Sequence, residues 1–267
     1  MWWEILIEKQ LVIKQPGVTL CCSDLSIGCQ LESVGTDRSL SVTGINVTLF
    51  GIDFVGGYSR LNGGNVAIEA AGYHSIIRCS FHKGTSKQYG GGLAVVNADS
   101  LNITDSSFES GNSELGGGGL AVLNTSEIII YNSSFGSNEG GYTGGGLYVM
   151  TPVGNIPHTT IIQSTSFKYN TAEYGGGFIV RNLGSMFTLK AFNSSFHSNY
   201  GDDQGGAGLV LSHLDLKQLE LRLYQNSGEG NRGRFGSCDD FLIDIAYVEN
   251  VPECIYITDQ FKYEFRD

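Results

Sequence analysis

Apolar and polar positions fall into fixed columns along this chain. Phe81, Phe108 and Phe135 stand 27 residues apart, Phe54 precedes the first by the same interval, and Phe167 and Phe196 follow after 32 and 29. Seven residues before each phenylalanine stand Val47, His74, Leu101, Ile128, Thr160 and Leu189. Five before stand Leu49, Ile76, Ile103, Ile130, Ile162 and Ala191, and two before stand the small residues Cys79, Ser106, Ser133, Thr165 and Ser194. Steps of two put these positions on one face of an extended strand, with Asn102, Thr104, Glu127 and Tyr131 between them pointing outward. A glycine run and an apolar residue follow four of the phenylalanines: Gly90-Gly91-Gly92-Leu93, Gly117-Gly118-Gly119-Leu120, Gly144-Gly145-Gly146-Leu147 and Gly175-Gly176-Gly177-Phe178.

A fixed period in this range marks a stacked repeat array. A helical repeat is excluded by composition. Glycine supplies 38 of 267 residues, gathered in runs that cost a helix roughly 1 kcal/mol per residue. The repeat is therefore β, with short strands and turns in each coil and like residues stacked over like at about 4.8 Å. The phenylalanines form one internal ladder and the Ile/Leu columns a second. The glycines permit positive φ at a tight corner. Asn138, Asn170 and Asn199, three residues after their phenylalanines, stack at a turn and hydrogen-bond along the axis. Gly84 and Gly111 hold that place in earlier copies, so the ladder is incomplete there.

Phe135-Gly136-Ser137-Asn138, Phe167-Lys168-Tyr169-Asn170 and Phe196-His197-Ser198-Asn199, together with the glycine runs, resemble the F-x-x-N and G-G-A-[I/L/V] tetrapeptides of the chlamydial polymorphic outer membrane proteins. Here the third glycine-run position is Gly in place of Ala. The resemblance covers residues 52–211. It implies an all-β, right-handed, single-stranded parallel β-helix of the pectate-lyase-like kind, with coils of about 27 residues. That fold serves adhesins, polysaccharide lyases and other surface proteins alike, so it leaves the activity open.

One elongated domain spans residues 1–267 in this reading. Residues 1–54 form irregular initial coils, 55–211 the regular repeats and 212–267 degenerate terminal coils. In the last part Leu223-Tyr224-Gln225-Asn226 preserves the tetrapeptide with Leu for Phe, residues 241–245 take the glycine-strand slot, and 251–265 form a final half coil. The chain begins almost inside a strand, at residues 2–7, with no charged leader, apolar run or cleavage site ahead of it, and so reads as a piece of a longer protein. No run of 18 apolar residues spans a membrane.

A formal charge of −11 argues against nucleic-acid partners, which need a basic footprint. The six cysteines make no metal-ligand spacing. Cys79, in the small inward column, reads as a packed core thiol. A bridge from Cys29 to Cys21 or Cys22 fits one initial coil, and Cys238 with Cys254 would close the last, given an oxidising compartment. Sequons stand at Asn46, Asn102, Asn124, Asn132 and Asn193. On outward positions they accept glycans in a eukaryotic secretory host, and with the cysteines they point outside the cell.

The chemistry is thinner. No Gly-Lys-Ser/Thr follows the glycine runs, and no H-E-x-x-H or G-x-S-x-G occurs. Glu114, Glu173 and Asp202 stand six residues after their phenylalanines, with Asp203 adjacent. Glu173 and Asp202 on neighbouring coils would share a Ca²⁺ or act as a carboxylate pair, which in a glycosidase sits about 5–9.5 Å apart. Lys87 and Gly141 fill the same place elsewhere, as expected of a solvated loop. Tyr89, Tyr142 and Tyr174 fall just ahead of glycine runs, placed either to stack on sugar rings or to shield the glycine corner. The insertion at 150–159, with Pro152 and Pro157, would protrude. The reading favoured is a non-enzymatic extracellular or cell-surface segment, without cofactor, that binds carbohydrate or a surface protein. A polysaccharide lyase or hydrolase centred on Glu173, Asp202 and Asp203 is the alternative.

Overall fold

The computed structural model describes residues 3–23, 28–34, 36–154, 156–183, 186–212, 218–224, 227–233, 242–247, 250–256 and 261–265. Among these the chain winds as a parallel β-solenoid with four sheets and no helix. The phenylalanine sheet has nine parallel strands, from Trp3–Ile7 to Ser227–Glu229. The isoleucine sheet stacks Thr48–Phe50, Tyr73–Ile77, Ser100–Thr104, Glu127–Tyr131, His158–Gln163 and Met186–Phe192. A third sheet holds the strands that follow the glycine runs, such as Leu93–Val96 and Leu120–Leu123. The fourth, the short sheet, runs from Tyr58–Ser59 to Arg232–Gly233.

Register follows the columns. Phe54, Phe81, Phe108, Phe135, Phe167 and Phe196 pair strand by strand, and Ile76, Ile103, Ile130 and Ile162 do the same. The six phenylalanine rings form one buried stack with centroids 4.7–5.2 Å apart. Burial contributes roughly 1.5–3 kcal/mol per ring, and one core cluster runs from Leu31 to Val210. Beside it the small column forms a hydroxyl ladder: Ser106 Oγ accepts from Cys79 N, Ser133 Oγ from Ser106 N, and Ser194 Oγ from Thr165 N. Cys79 is an unpaired buried thiol in that ladder, and burial pushes it up to about 11.

The asparagine ladder extends further than its motif. Asn138 donates to Phe108 O and accepts from Gly111 N, and its amide is linked to those of Asn170, Asn199 and Asn231 in sequence. In the first regular coil Asn65 takes over from the glycine-run side. Its Oδ1 accepts from Gly57 N at 2.7 Å and its Nδ2 donates to Phe54 O and His82 O. A Cβ at Gly84 would meet that amide at 2.8 Å, so the glycine there makes room for an amide arriving from elsewhere.

The first glycine of each run does take positive φ, as at Gly90 and Gly117. The second serves close approach: a Cβ at Gly91 would lie 2.4 Å from Gly118 O. Asn97 and Asn124 turn the corner after the third sheet, and two further corners, held by Gly51 and Gly56 in the first regular coil, are turned later by non-glycine residues at positive φ. Arg78, Asp105, Asn132, Ser164 and Asn193 form one such column, and Lys83, Ser110, Ser137, Tyr169 and Ser198 the other.

The two ends of the array have features of their own. The initial coils are in register with the array, Cys29↔Ile52 and Leu40↔Val66, and among their described residues have no short-sheet strand. At the other end Phe196 pairs with Gly228, not Leu223, and Asn231 holds the ladder place assigned to Asn226. Leu223 pairs instead with Ala191, in the column five before the phenylalanine. This coil is longer than 27 residues, so a fixed count lands on the wrong strand. In the stretch read as a final half coil, 251–265, the described strands pair antiparallel, Asn250–Tyr256 on Leu242–Tyr247 and Phe261–Phe265 on Gln218–Tyr224.

Candidate functional site

The carboxylates singled out by spacing meet on the short sheet. Ala172 pairs with Gly201 and Tyr174 with Gln204, so Glu173 faces the two residues Asp202 and Asp203 across a bulge. On its other side Gly140 pairs with Ala172 and Thr143 with Tyr174, which sets Gly141 and Tyr142 opposite Glu173. The bulges arise because these strands carry one residue more or less than their neighbours ahead of the glycine run.

Each carboxylate of the group has a partner within the array. Tyr200 donates its phenol to Asp202 Oδ1 at 3.0 Å. Tyr174 donates to Asp203, and that bond, helped by the charge of Glu173, pushes the phenol up to about 12. Glu114, in the same column, accepts from Lys87 of the preceding coil, and this bond raises the ammonium above its ordinary value. Among the described residues no three His, Cys, Asp or Glu side chains converge as a metal site.

The three tyrosines part company. Tyr89 is half-buried and stacks on buried Tyr148, 5.3 Å between centroids. Tyr174 packs with it against a small outer cluster of Ala121, Leu123, Tyr148 and Ile179. These side chains lie on the outer face of the third sheet and are covered by the segments that lead into the glycine runs. Burial raises the Tyr148 phenol above its ordinary value. Tyr142 alone of the three stands out, 58% exposed. The arrangement offers an exposed ring at Tyr142, with Glu173 opposite it on the next strand and Asp202, Asp203 and the half-exposed Tyr200 on the strand after that. Rings that stack and carboxylates that accept hydroxyl hydrogen bonds are the groups a sugar needs.

All five sequon asparagines are exposed. Asn46, Asn124, Asn132 and Asn193 sit at positive φ and so also turn corners. Asn132 donates to Asp105 and Asn124 to Asn97, one coil away in each case. Cys22 and Cys29 form a disulfide and Cys21 is free and exposed. The bridge expected between Cys238 and Cys254 lies outside the described residues. The insertion exposes Val153 and Ile156, while its ends are anchored by Thr151, which bonds Asn182 and Leu183, and by buried His158. His158 Nδ1 donates to Thr125 O, so in the neutral ring Nε2 accepts from Thr160 Oγ1, and burial lowers its imidazole to about 4.

One site escaped the spacing argument. The column six after the phenylalanine begins at Arg60, following Phe54, and changes from cationic at Arg60 and Lys87 to anionic at Glu114, Glu173 and Asp202. Reading that column back to its first coil is the signal that finds it. Arg60 borders a cleft of 660 Å³ at the edge of the short sheet, with Arg38 inside.

A family described as "Right handed beta helix region" matches residues 35–219, more than half of the chain, and supplies the hand of the solenoid. No curated protein and no solved structure matches the chain. Among the described residues no helix is long and apolar enough to cross a membrane.

Proposed function

The chain belongs to the right-handed β-helix family, and on that premise we propose that it serves, outside the cell or at its surface, as a non-enzymatic rod that binds glycan. The observation that carries this reading is the strip on the short sheet, where Tyr142, Glu173, Asp202, Asp203 and Tyr200 stand on three successive strands. A strip of this kind suits a ligand lying across coils, with a ring on Tyr142 and hydroxyls donating to the carboxylates. The Cys22–Cys29 bridge, the outward sequons and the tetrapeptide resemblance to polymorphic outer membrane proteins support an extracellular location.

The bulge that sets Asp202 and Asp203 opposite Glu173 favours a second reading, hydrolysis or lyase chemistry on an acidic polysaccharide. The phenols bonded to Asp202 and Asp203 speak for the first, because each carboxylate already has an in-array partner. One experiment separates the two. Immobilised neutral and acidic glycans are incubated with the protein, with and without Ca²⁺, and both retention and released products are measured. Retention without products, weakened about tenfold or more (roughly 1.4 kcal/mol) in Tyr142→Ala with Glu173→Gln, supports the binding rod. Products that vanish in the Asp202→Asn, Asp203→Asn double variant establish the enzyme instead.

A further inference from the structure

The cleft at the first edge of the short sheet lies apart from the tyrosine strip. Tyr58–Ser59 is the terminal strand of that sheet, because the coil before it passes without a strand. Asp37 O accepts from Tyr58 N at 3.3 Å and from Ser33 Oγ at 2.6 Å, and these two bonds fix the passing segment. Between the segment and the strand opens the cleft, lined among others by Gln10, Thr36, Asp37, Arg38, Tyr58 and Arg60. Its 660 Å³ falls in the range of small-molecule pockets, about 300–1,000 Å³.

Arg38 is the group that the fold leaves underused. It is half-buried, and Nη2 donates to Ser59 Oγ at 2.8 Å. Among the described residues that is the one hydrogen bond its side chain makes, and neither Arg38 nor Arg60 belongs to an ion pair. A guanidinium has five donors in a planar fork matched to two oxygens of one oxyanion. Burial weakens its hold on its proton, and the carboxylates of Glu69 and Asp37 act on it only through space. A half-buried cation with free donors at the wall of a cleft is a receptor for an anion. In a chain of net charge −11, two arginines at one cleft are not what general surface composition supplies.

The rest of the lining narrows the ligand. Asp37 would repel a bare oxyanion but accepts from hydroxyls, and Gln10 and Thr36 offer neutral amide and hydroxyl groups. Tyr58 adds a half-exposed ring. We propose that this cleft binds a saccharide unit bearing a carboxylate or sulfate group, the oxyanion held by Arg38 and Arg60 and the ring hydroxyls by Asp37 and its polar neighbours. The site stands about three strands, roughly 14 Å, from Tyr142 along the same sheet. A longer glycan could therefore engage both, but the cleft does not depend on the strip.

Calorimetric titration of the whole chain tests this with glucuronic acid, N-acetylneuraminic acid, glucose 6-sulfate, glucose, sodium sulfate and a short Glu/Asp peptide. The expected result is binding of the carboxylated or sulfated sugars, with glucose and sodium sulfate at least about tenfold weaker. The two acid types distinguish the source of the oxyanion. Arg38→Gln should lose binding, and Arg38→Lys, which keeps charge without the fork, should recover only part. Arg60 is exposed, so Arg60→Gln should leave the melting temperature almost unchanged and still weaken binding several-fold. Tyr142→Ala should leave this site untouched, which separates its failure from failure of the strip. Equal affinity for sodium sulfate would mean an adventitious ion only and overturn the proposal. So would tighter binding of the acidic peptide, or unchanged affinity in Arg60→Gln together with Arg38→Lys.

Discussion

The inner and outer faces of this solenoid obey different rules. Inside, the phenylalanine column repeats one residue through six coils, and each ring rests on the last. Outside, the column six residues later reads Arg60, Lys87, Glu114, Gly141, Glu173 and Asp202. Stacking at a spacing near 4.8 Å favours one residue throughout the buried phenylalanine column, since a missing ring leaves a void between two others. It demands nothing of a solvated position beyond compatible charge, and Lys87 with Glu114 meets that. Variation along an otherwise periodic array is therefore where binding groups can be placed at no cost to the fold.

The sharpest way to break this contrast is to substitute both faces. Phe135→Ala removes a buried ring between Phe108 and Phe167 and should cost about 3–5 kcal/mol in denaturant unfolding. Tyr142→Ala, on the outer face, should stay within about 0.5 kcal/mol. Equal losses at the two positions would erase the distinction.

His158 provides a pH-dependent test of the interior. Its folded pKa is lowered to about 4 by burial, whereas the unfolded chain protonates the imidazole near pH 6.5. Its contribution is present above 6.5 and is lost as pH falls from 6.5 toward 4, because the unfolded state binds the extra proton. The difference in unfolding free energy between wild type and His158→Leu should therefore change by roughly 3 kcal/mol across that window. A parallel pH dependence of the two proteins would place the imidazole in solvent.

Asn170 sharpens the comparison at intermediate scale. Its amide donates to Phe135 O and Asn199 Oδ1 and accepts from Asn138. Asn170→Ala leaves these buried groups unpaired, at about 1–3 kcal/mol by thermal or denaturant melting. Asp203→Asn should move stability by less than about 0.5 kcal/mol. It should instead bring the Tyr174 phenol from about 12 back toward the ordinary value near 10, visible as an ultraviolet difference titration. An unshifted tyrosine would mean that the two side chains do not bond.

The buried columns were legible in the sequence because burial imposes a step of two within a strand and a fixed interval between coils. The Phe, Ile and small-residue columns, and the strand register they imply, needed nothing else. What was not legible depends on space shared by different columns. Asn65 supplies the amide missing beside Gly57 from a place in the glycine run, and no count of residues links the two. Tyr89 turns inward because Tyr148, two coils on, reaches back over Ala121. Leu223 resembles a phenylalanine position at 27 residues, but this coil is longer and Gly228 pairs with Phe196 instead. The Arg38 cleft exists because a coil lacks one strand, and an absent strand leaves no motif.

The central claim is that the outer strip of the short sheet binds while the buried columns only hold it in place. Its most direct test is the triple variant Tyr142→Ala, Asp202→Asn, Asp203→Asn, measured against wild type for glycan retention and for melting in the same buffer. The account predicts retention weakened about tenfold or more (roughly 1.4 kcal/mol) with the melting temperature almost unchanged. Full retention in a folded triple variant would contradict it.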